Sequence, residues 1–435
     1  MRDGQGLEVT TGSGEAVAAI DLFREELLSI GPRAAEVIAA ADALPGVPML
    51  EGYAAACGVF GQTSGGDALC RTHLDRAAAL GANERELAFL AAVEALLGRR
   101  HEEGARRLEA IVSEHPRDLV SAKLLEFTYY LMGQEHAGPR FLAAMDAIAD
   151  ANRGDGLFAS MHSFALELTG RYAEAIDRAE EALAAAPVNP WADHTLAHAL
   201  LKSGRVDDGI AVLARERPKW DDRAPFIRGH NAWHLALLRV ETLDHAEARR
   251  ILDEAILPPG EAPLLVQYLD AISLLWRIEM AGGTVDAADW ARMADASVAE
   301  AGGAYMPFQS AHLHFALARA GREAELAEAR RALAADLGRL AAPERRVWET
   351  LGLPLLDGVA AFARGDAAGA AAALAPVEDR LAEGGGSDAQ VDLFRQTLLL
   401  ALVGSGERSA ARGVLERLHR AARPTPLSEV WRALC

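Results

Sequence analysis

The chain of 435 residues reads "GRYAEAI" at 170–176 and "GRVDDGI" at 204–210, and Gly170 and Gly204 are 34 residues apart. An internal period of this length constrains the fold more than any local propensity. A unit so short cannot bury its apolar face alone, so neighbouring units must stack to make a core. The stretch before each glycine has the small and aromatic spacing of a first helix, and Pro187 falls where a second helix ends. Each unit is therefore predicted as a helix, a tight turn and a second helix.

The interval is the tetratricopeptide period. Degenerate copies extend it outward: "GRRHEEGARRLEAIVSEHP" from Gly98, "GREAELAEARRAL" from Gly321, "GDAAGAAAALAPV" from Gly365 and "GERSAARGVLERL" from Gly406. Their spacing drifts, which predicts insertions in the stack. Ala, Leu, Glu and Arg are abundant and aromatic residues make up only 6% of the chain, a balance that favours helices over strands. The expectation is all-α: a mobile or loosely docked N-terminal arm over residues 1–14, then one tetratricopeptide-like α-solenoid over 15–435. "LPPGEAP" at 257–263 is read as a connection. "AEGGGSDAQ" at 382–390 is read as a helix stop at Gly384 to Gly386, with Ser387 or Asp388 capping the next helix.

Charge narrows the partners. With 44 basic and 63 acidic residues the formal net charge is -19, and no basic stripe focuses a positive field on phosphates, so nucleic acid is not expected as a partner. No apolar run has the length of a membrane span, and the opening "MRDGQGLEVTTGSGEA" lacks the basic and apolar regions of a signal peptide. A soluble cytoplasmic protein with no membrane partner is expected. Cys57, Cys70 and Cys435 show no metal-binding spacing, and Cys57 reads as a small buried hydrophobe.

The chemistry-bearing feature is "HTLAH" at 194–198 followed by "HNAWH" at 230–234. Histidines four apart lie on one stripe of a helix, and both pairs fall in predicted first helices, which line the concave face of such a stack. Adjacent helices pack about 8–10 Å apart, so His194, His198, His230 and His234 would converge, with Trp191 and Trp233 beside them. Neutral imidazoles can ligate a divalent transition metal, act as general acid and base, or hydrogen-bond a polar ligand, and the residue types leave all three open. Thr195 and Asn231 stand where a zincin carries its glutamate, which excludes that motif. Asp193 and Asp270 are the acidic residues expected to orient the rings.

Further along, Asp270 and Arg277 recur on one helical face and would form an ion pair, or else Arg277 would meet a carboxylate or phosphate of a ligand. His312 and His314 diverge around their helix, so only one of them can face the cavity. His73, His101, His115, His136 and His245 sit among charged residues or turns and read as exposed.

"GLEVTTGSGEA", "NPWADHTLAHALL", "GHNAWHLALL", "LDAISLLWRIEMAG", "LGLPLLDGVAAFARGD" and "GGSDAQVDLFRQTLL" occur in an order and spacing that resemble the tetratricopeptide repeat protein 38 family and its bacterial relatives, over nearly the whole chain. The resemblance implies a site at the positions of His194, His198, His230, His234, Asp270, Arg277 and His314. It departs at Tyr53, where relatives tend to have histidine, and at Asp388 and Val391, which replace a frequent histidine and arginine.

The leading expectation is a binding protein whose concave face forms a pocket lined by His194, His198, His230, Trp233, His234, Asp270, Arg277 and His314 for a small polar molecule or peptide. The alternatives are an enzyme using the same histidines, free or metal-bound, and a scaffold for protein partners. No serine or cysteine nucleophile stands beside a base in a recognisable motif. The sequence names no particular cofactor, catalytic residue or oligomeric state.

Overall fold

The structure, a computed structural model, describes residues 1–420 and 422–435. Helices follow one another as antiparallel pairs, and among the described residues there is no strand beyond an isolated bridge between Arg2 and Glu8. The helices that build the site are α1 (Leu119–Met132), α2 (Gly156–Glu167), α3 (Pro190–Lys202), α4 (Pro225–Glu241), α5 (Leu265–Met280), α6 (Pro307–Arg319) and α7 (Asp388–Gly404). The first helices α2, α3 and α4 are answered by the second helices Tyr172–Ala185, Val206–Glu216 and His245–Ile251. The chain is thus an all-α, tetratricopeptide-like solenoid.

The turns explain the sequence period. Gly170 and Gly204 hold φ of 77° and 66°, a left-handed backbone that glycine adopts without a Cβ penalty. In the next unit Leu243 takes the same conformation at φ 60°, and its N–H still reaches the Val240 carbonyl at 2.9 Å. The turn is set by the packed helices, and here it tolerates a leucine. At Gly98 the register slips by one, and Arg99 carries the positive φ of 59°.

Helix starts are equally local. Asn189 caps α3 by accepting from the Ala192 N–H at 3.2 Å, Pro190 follows at the first helical position, and Asn189 Nδ2 donates to the Gly156 carbonyl at 2.9 Å. One side chain therefore both starts α3 and fixes it to α2, and such a cap contributes about 1 kcal/mol. The second helix Tyr172–Ala185 buries only Ala175, Ala179 and Ala182, whereas α3 is buried over every residue from Pro190 to Leu200. A helix enclosed on all sides belongs to the interior of the assembly.

That enclosure comes from chain closure. Gly386 donates to the Tyr130 carbonyl at 2.9 Å and Gln134 donates to the Gly386 carbonyl at 2.9 Å, joining the start of α7 to the end of α1. Arg395 of α7 pairs with Glu135 at 3.0 Å, and Arg423 donates to the Ser203 carbonyl at 3.1 Å. The C-terminal helices thus fill the concave face that would otherwise be an open groove. At the start of α7 the Ser387 N–H donates to Gln390 Oε1 at 3.0 Å, and Asp388, the other capping candidate, accepts from the Ala389 N–H at 2.7 Å. One apolar cluster runs from Val9 to Trp431.

The opening residues are docked more firmly than a loose arm. Val9 is buried, the Thr10 N–H donates to Glu86 at 2.8 Å, and Arg85 donates to the Glu8 carbonyl at 3.0 Å. No described helix is long and apolar enough to cross a membrane. The three cysteines are free, with Cys70 buried and Cys57 half-buried.

Candidate functional site: a cluster of four imidazoles

On α3, His194 and His198 stand one turn apart, and on α4 so do His230 and His234. The packing of α3 on α4 brings the four rings into one group. The His194 centroid lies 4.5 Å from that of His198, 5.2 Å from His230 and 4.9 Å from His234, while His198 and His234 are 4.5 Å apart. Each helix supplies its own platform. Trp191 stacks on His194 at 4.3 Å, and Trp233 stacks on His230 at 5.2 Å. Phe164 of α2 closes one side with its edge toward His194 and His198.

Carboxylates orient two of the rings. His230 Nδ1 donates to Asp270 of α5 at 2.9 Å, and His198 Nδ1 donates to Asp388 of α7 at 2.8 Å. The remaining ring nitrogens are largely orphaned. Nδ1 of His194, Nε2 of His198 and both nitrogens of His234 are buried without a hydrogen-bond partner. Buried polar atoms are nearly always paired, so four such nitrogens in one group point to something that accepts their lone pairs or protons.

Burial, then mutual repulsion among the rings, holds His194 and His234 well below the ordinary histidine range. Burial also lowers His198, though Asp388 opposes it. Near neutral pH these three imidazoles therefore carry free lone pairs. Donor nitrogens of His194, His230 and His234 lie within 4.8 Å of one another, and a second group with the same spacing is Glu167, His198 and Asp388.

Two cations flank the cluster. Lys123 Nζ lies 3.7 Å above the Trp191 ring and pairs with Glu126 at 2.7 Å, and Glu126 accepts from Trp191 Nε1 at 2.8 Å. Arg277 lies over Trp233 at 5.5 Å. It donates to the Ser273 hydroxyl and, at 2.7 Å, to the Ala389 carbonyl, and burial lowers its pKa to about 10.

Several expectations need correction. Asp193 does not orient a histidine, because it accepts from Trp220 Nε1 at 2.9 Å on the opposite side of α3. Asp270 is occupied by His230, so the ion pair between Asp270 and Arg277 does not form. His314 turns away from the cluster and bonds the Ala301 carbonyl at 2.9 Å, while His312 bonds its own helix at Phe308. His73 is buried against Glu51 at 2.6 Å; His136 is exposed, and His101, His115 and His245 are half-buried. Arg277, Lys202, Glu241 and Asp392 line a cavity of about 50 Å³, room for one or two waters, which none of the four clustered histidines lines.

Sequence reasoning missed Glu167, Lys202 and Asp392, and gave Asp388 a capping role and a place among the departures from the family pattern. Lys202 pairs with Asp392 at 2.6 Å and lies 3.6 Å from Asp388. Asp392 is four residues beyond Asp388 on α7, so a helical stripe of carboxylates was the available signal.

The sequence profile of the tetratricopeptide repeat matches residues 168–219. The match begins at the end of α2, takes in α3 with His194 and His198, and stops before α4. The protein thus contains a tetratricopeptide repeat, a module associated with protein partners.

Proposed function

We propose that this protein binds a divalent transition metal in the closed interior of its solenoid, through His194, His230 and His234. The observation that carries the reading is the convergence of three donor nitrogens, from two consecutive repeats, within 4.8 Å of one another. Three features support it. Nδ1 of His194 and both ring nitrogens of His234 are buried without a hydrogen-bond partner. Burial favours neutral rings, the form that ligates. Asp270 holds the Nδ1 proton of His230, the arrangement by which a carboxylate fixes a metal-binding imidazole through its far nitrogen.

An all-imidazole set suits Zn, Cu, Fe or Ni better than Mg or Ca. Three protein ligands leave a coordination position for water or for a small polar ligand, as in catalytic zinc sites. That position gives the small-molecule and enzyme readings a common chemical basis. The likeness to the tetratricopeptide repeat protein 38 family covers the same histidines, and free cysteines accord with a cytoplasmic setting. A protein partner would meet the outer faces of the solenoid, because the inner face is occupied by α7.

The test is elemental analysis of protein purified without a metal-affinity tag, followed by Co2+ titration of the chelator-treated protein. At least one equivalent of metal is expected, with one equivalent lost in the His230→Ala and His234→Ala double variant. Failure to bind any transition metal would remove this reading.

A further inference from the structure

Directly behind the three-histidine group we propose a second divalent-cation site, formed by Glu167, His198 and Asp388, so that the closed interior holds a two-ion centre. The inference rests on the reading of His194, His230 and His234 as a metal site. Its evidence is separate.

The three residues come from three elements: the last residue of α2, the middle of α3 and the first residue of α7. Their donor atoms lie within 4.8 Å of one another. His198 Nδ1 is 2.8 Å from Asp388 and 3.6 Å from Glu167. Two ligands bound about 2.1 Å from one ion at octahedral or tetrahedral angles stand about 3.0–3.4 Å apart, inside that bracket. Small side-chain shifts suffice to seat an ion.

Glu167 is the decisive residue. Its side chain is 0% exposed and neither carboxylate oxygen has a hydrogen-bond donor. Asp388 faces it as a second carboxylate, and Lys202, the nearest cation, is committed to Asp392 at 2.6 Å with Asp388 only at 3.6 Å. A dry carboxylate without a donor needs either a proton or a cation. The neighbouring imidazole supplies the nitrogen ligand that a cation would use, 3.6 Å from Glu167, and counting bound metal separates the two cases. His198 Nε2 is buried and unpartnered as well. When the ion takes the Nδ1 lone pair, the proton held by Nδ1 moves to Nε2 of the same ring.

The ring of His198 forms the wall between the two groups, 4.5 Å from the centroids of both His194 and His234. Two carboxylates and one imidazole make a harder donor set than three imidazoles, suited to Mn2+, Fe2+ or Zn2+.

The test is equilibrium dialysis of the chelator-treated full chain against Co2+ and, separately, Mn2+. Bound metal is counted by elemental analysis, and electron paramagnetic resonance reads spin coupling between ions. Two ions per chain with coupled spins are expected, falling to one in Glu167→Gln and in Asp388→Asn. One ion in the wild type, lost in the His230→Ala and His234→Ala double variant, overturns the second site and leaves the first standing. No ion at all overturns both. Two ions retained in the folded Glu167→Gln and Asp388→Asn variants also overturn the proposal, since the second ion then lies elsewhere. Should both variants fail to fold, wild-type stoichiometry and spin coupling decide: uncoupled spins overturn it.

Discussion

His198 on α3 donates from Nδ1 to Asp388, 190 positions later at the first residue of α7, over 2.8 Å. This contact joins the repeat that carries the histidines to the helix that seals the concave face. Burial raises the Asp388 carboxyl, but Lys202 and His198 outweigh it and hold the group below the ordinary range. Site and closure are therefore one structure: a chain that failed to close would leave His198 unoriented.

The clearest consequence concerns His234, whose two ring nitrogens are buried without partners. In metal-free protein this is an uncompensated desolvation, worth about 1–3 kcal/mol for each such polar group. His234→Leu is expected to raise the unfolding midpoint of chelator-treated protein. With Co2+ present the order should reverse, because the wild type then gains binding energy that the variant has lost. Thermal unfolding of both proteins with and without metal measures the crossover. A variant less stable under both conditions would identify His234 as a packing residue.

Part of this arrangement is legible in the sequence. The pairs His194/His198 and His230/His234 follow from helical spacing laid on the 34-residue repeat, which needs only local geometry. Asp388 was not legible as a partner because nothing local says which helix crosses α3 from 190 residues away. Glu167, three residues before the turn glycine Gly170, looks like a solvated helix end, and only closure by α7 buries it. Asp270 and Arg277 do share a helical face, yet each is claimed by a different neighbouring helix, His230 of α4 and Ala389 of α7. His314 rested on the family resemblance alone, and the rotation of α6, which its sequence leaves free, turns that ring to the Ala301 carbonyl. Leu243 shows the converse: the missing turn glycine did not break the period, because packing imposed φ 60° on a leucine.

Acid should weaken the metal-free protein through the same cluster. Burial lowers the folded-state pKa of His194 and His234 well below the ordinary value. The unfolded chain therefore binds protons that the folded chain refuses, and stability is complete above about pH 6.5 and falls as pH drops below it. Each such group contributes a slope of about 1.4 kcal/mol per pH unit over that window. Urea midpoints of chelator-treated protein between pH 7.5 and 5 should fall, and the fall should be shallower in a His194→Leu and His234→Leu double variant. Equal slopes in the two proteins would contradict the assignment.

Away from the site, Arg85 and Asp118 form a buried pair at 2.8 Å, with side chains 4% and 2% exposed. Asp118 also caps α1 by accepting from the Ser121 N–H at 3.0 Å, and Arg85 holds the Glu8 carbonyl of the docked N-terminus. Arg85→Met keeps the apolar stem but strands the carboxylate in the interior. A loss of about 3–5 kcal/mol in urea unfolding is expected, together with faster proteolysis within residues 1–13. Wild-type stability in the variant would mean that Asp118 finds another partner.

Gly133 provides a direct test of closure. It holds φ of 91° at the end of α1, and a Cβ there would stand 1.7 Å from the Ala382 carbonyl oxygen. The left-handed conformation alone costs a residue with a side chain about 1–2 kcal/mol. The clash adds to this, because the contact is with backbone and cannot be relieved by a rotamer change. Gly133→Ala should therefore push residues 382–386 away, and the first bonds to open are those of Gly386 with Tyr130 and Gln134. These bonds seat the start of α7, so Asp388 would withdraw from His198 even though both residues are unchanged. Hydrogen exchange should rise across 382–392 while α2 remains protected, and metal stoichiometry should fall at the Glu167, His198 and Asp388 group before it falls at His194, His230 and His234. Unaltered exchange at 382–392 would show that the site does not depend on this clasp.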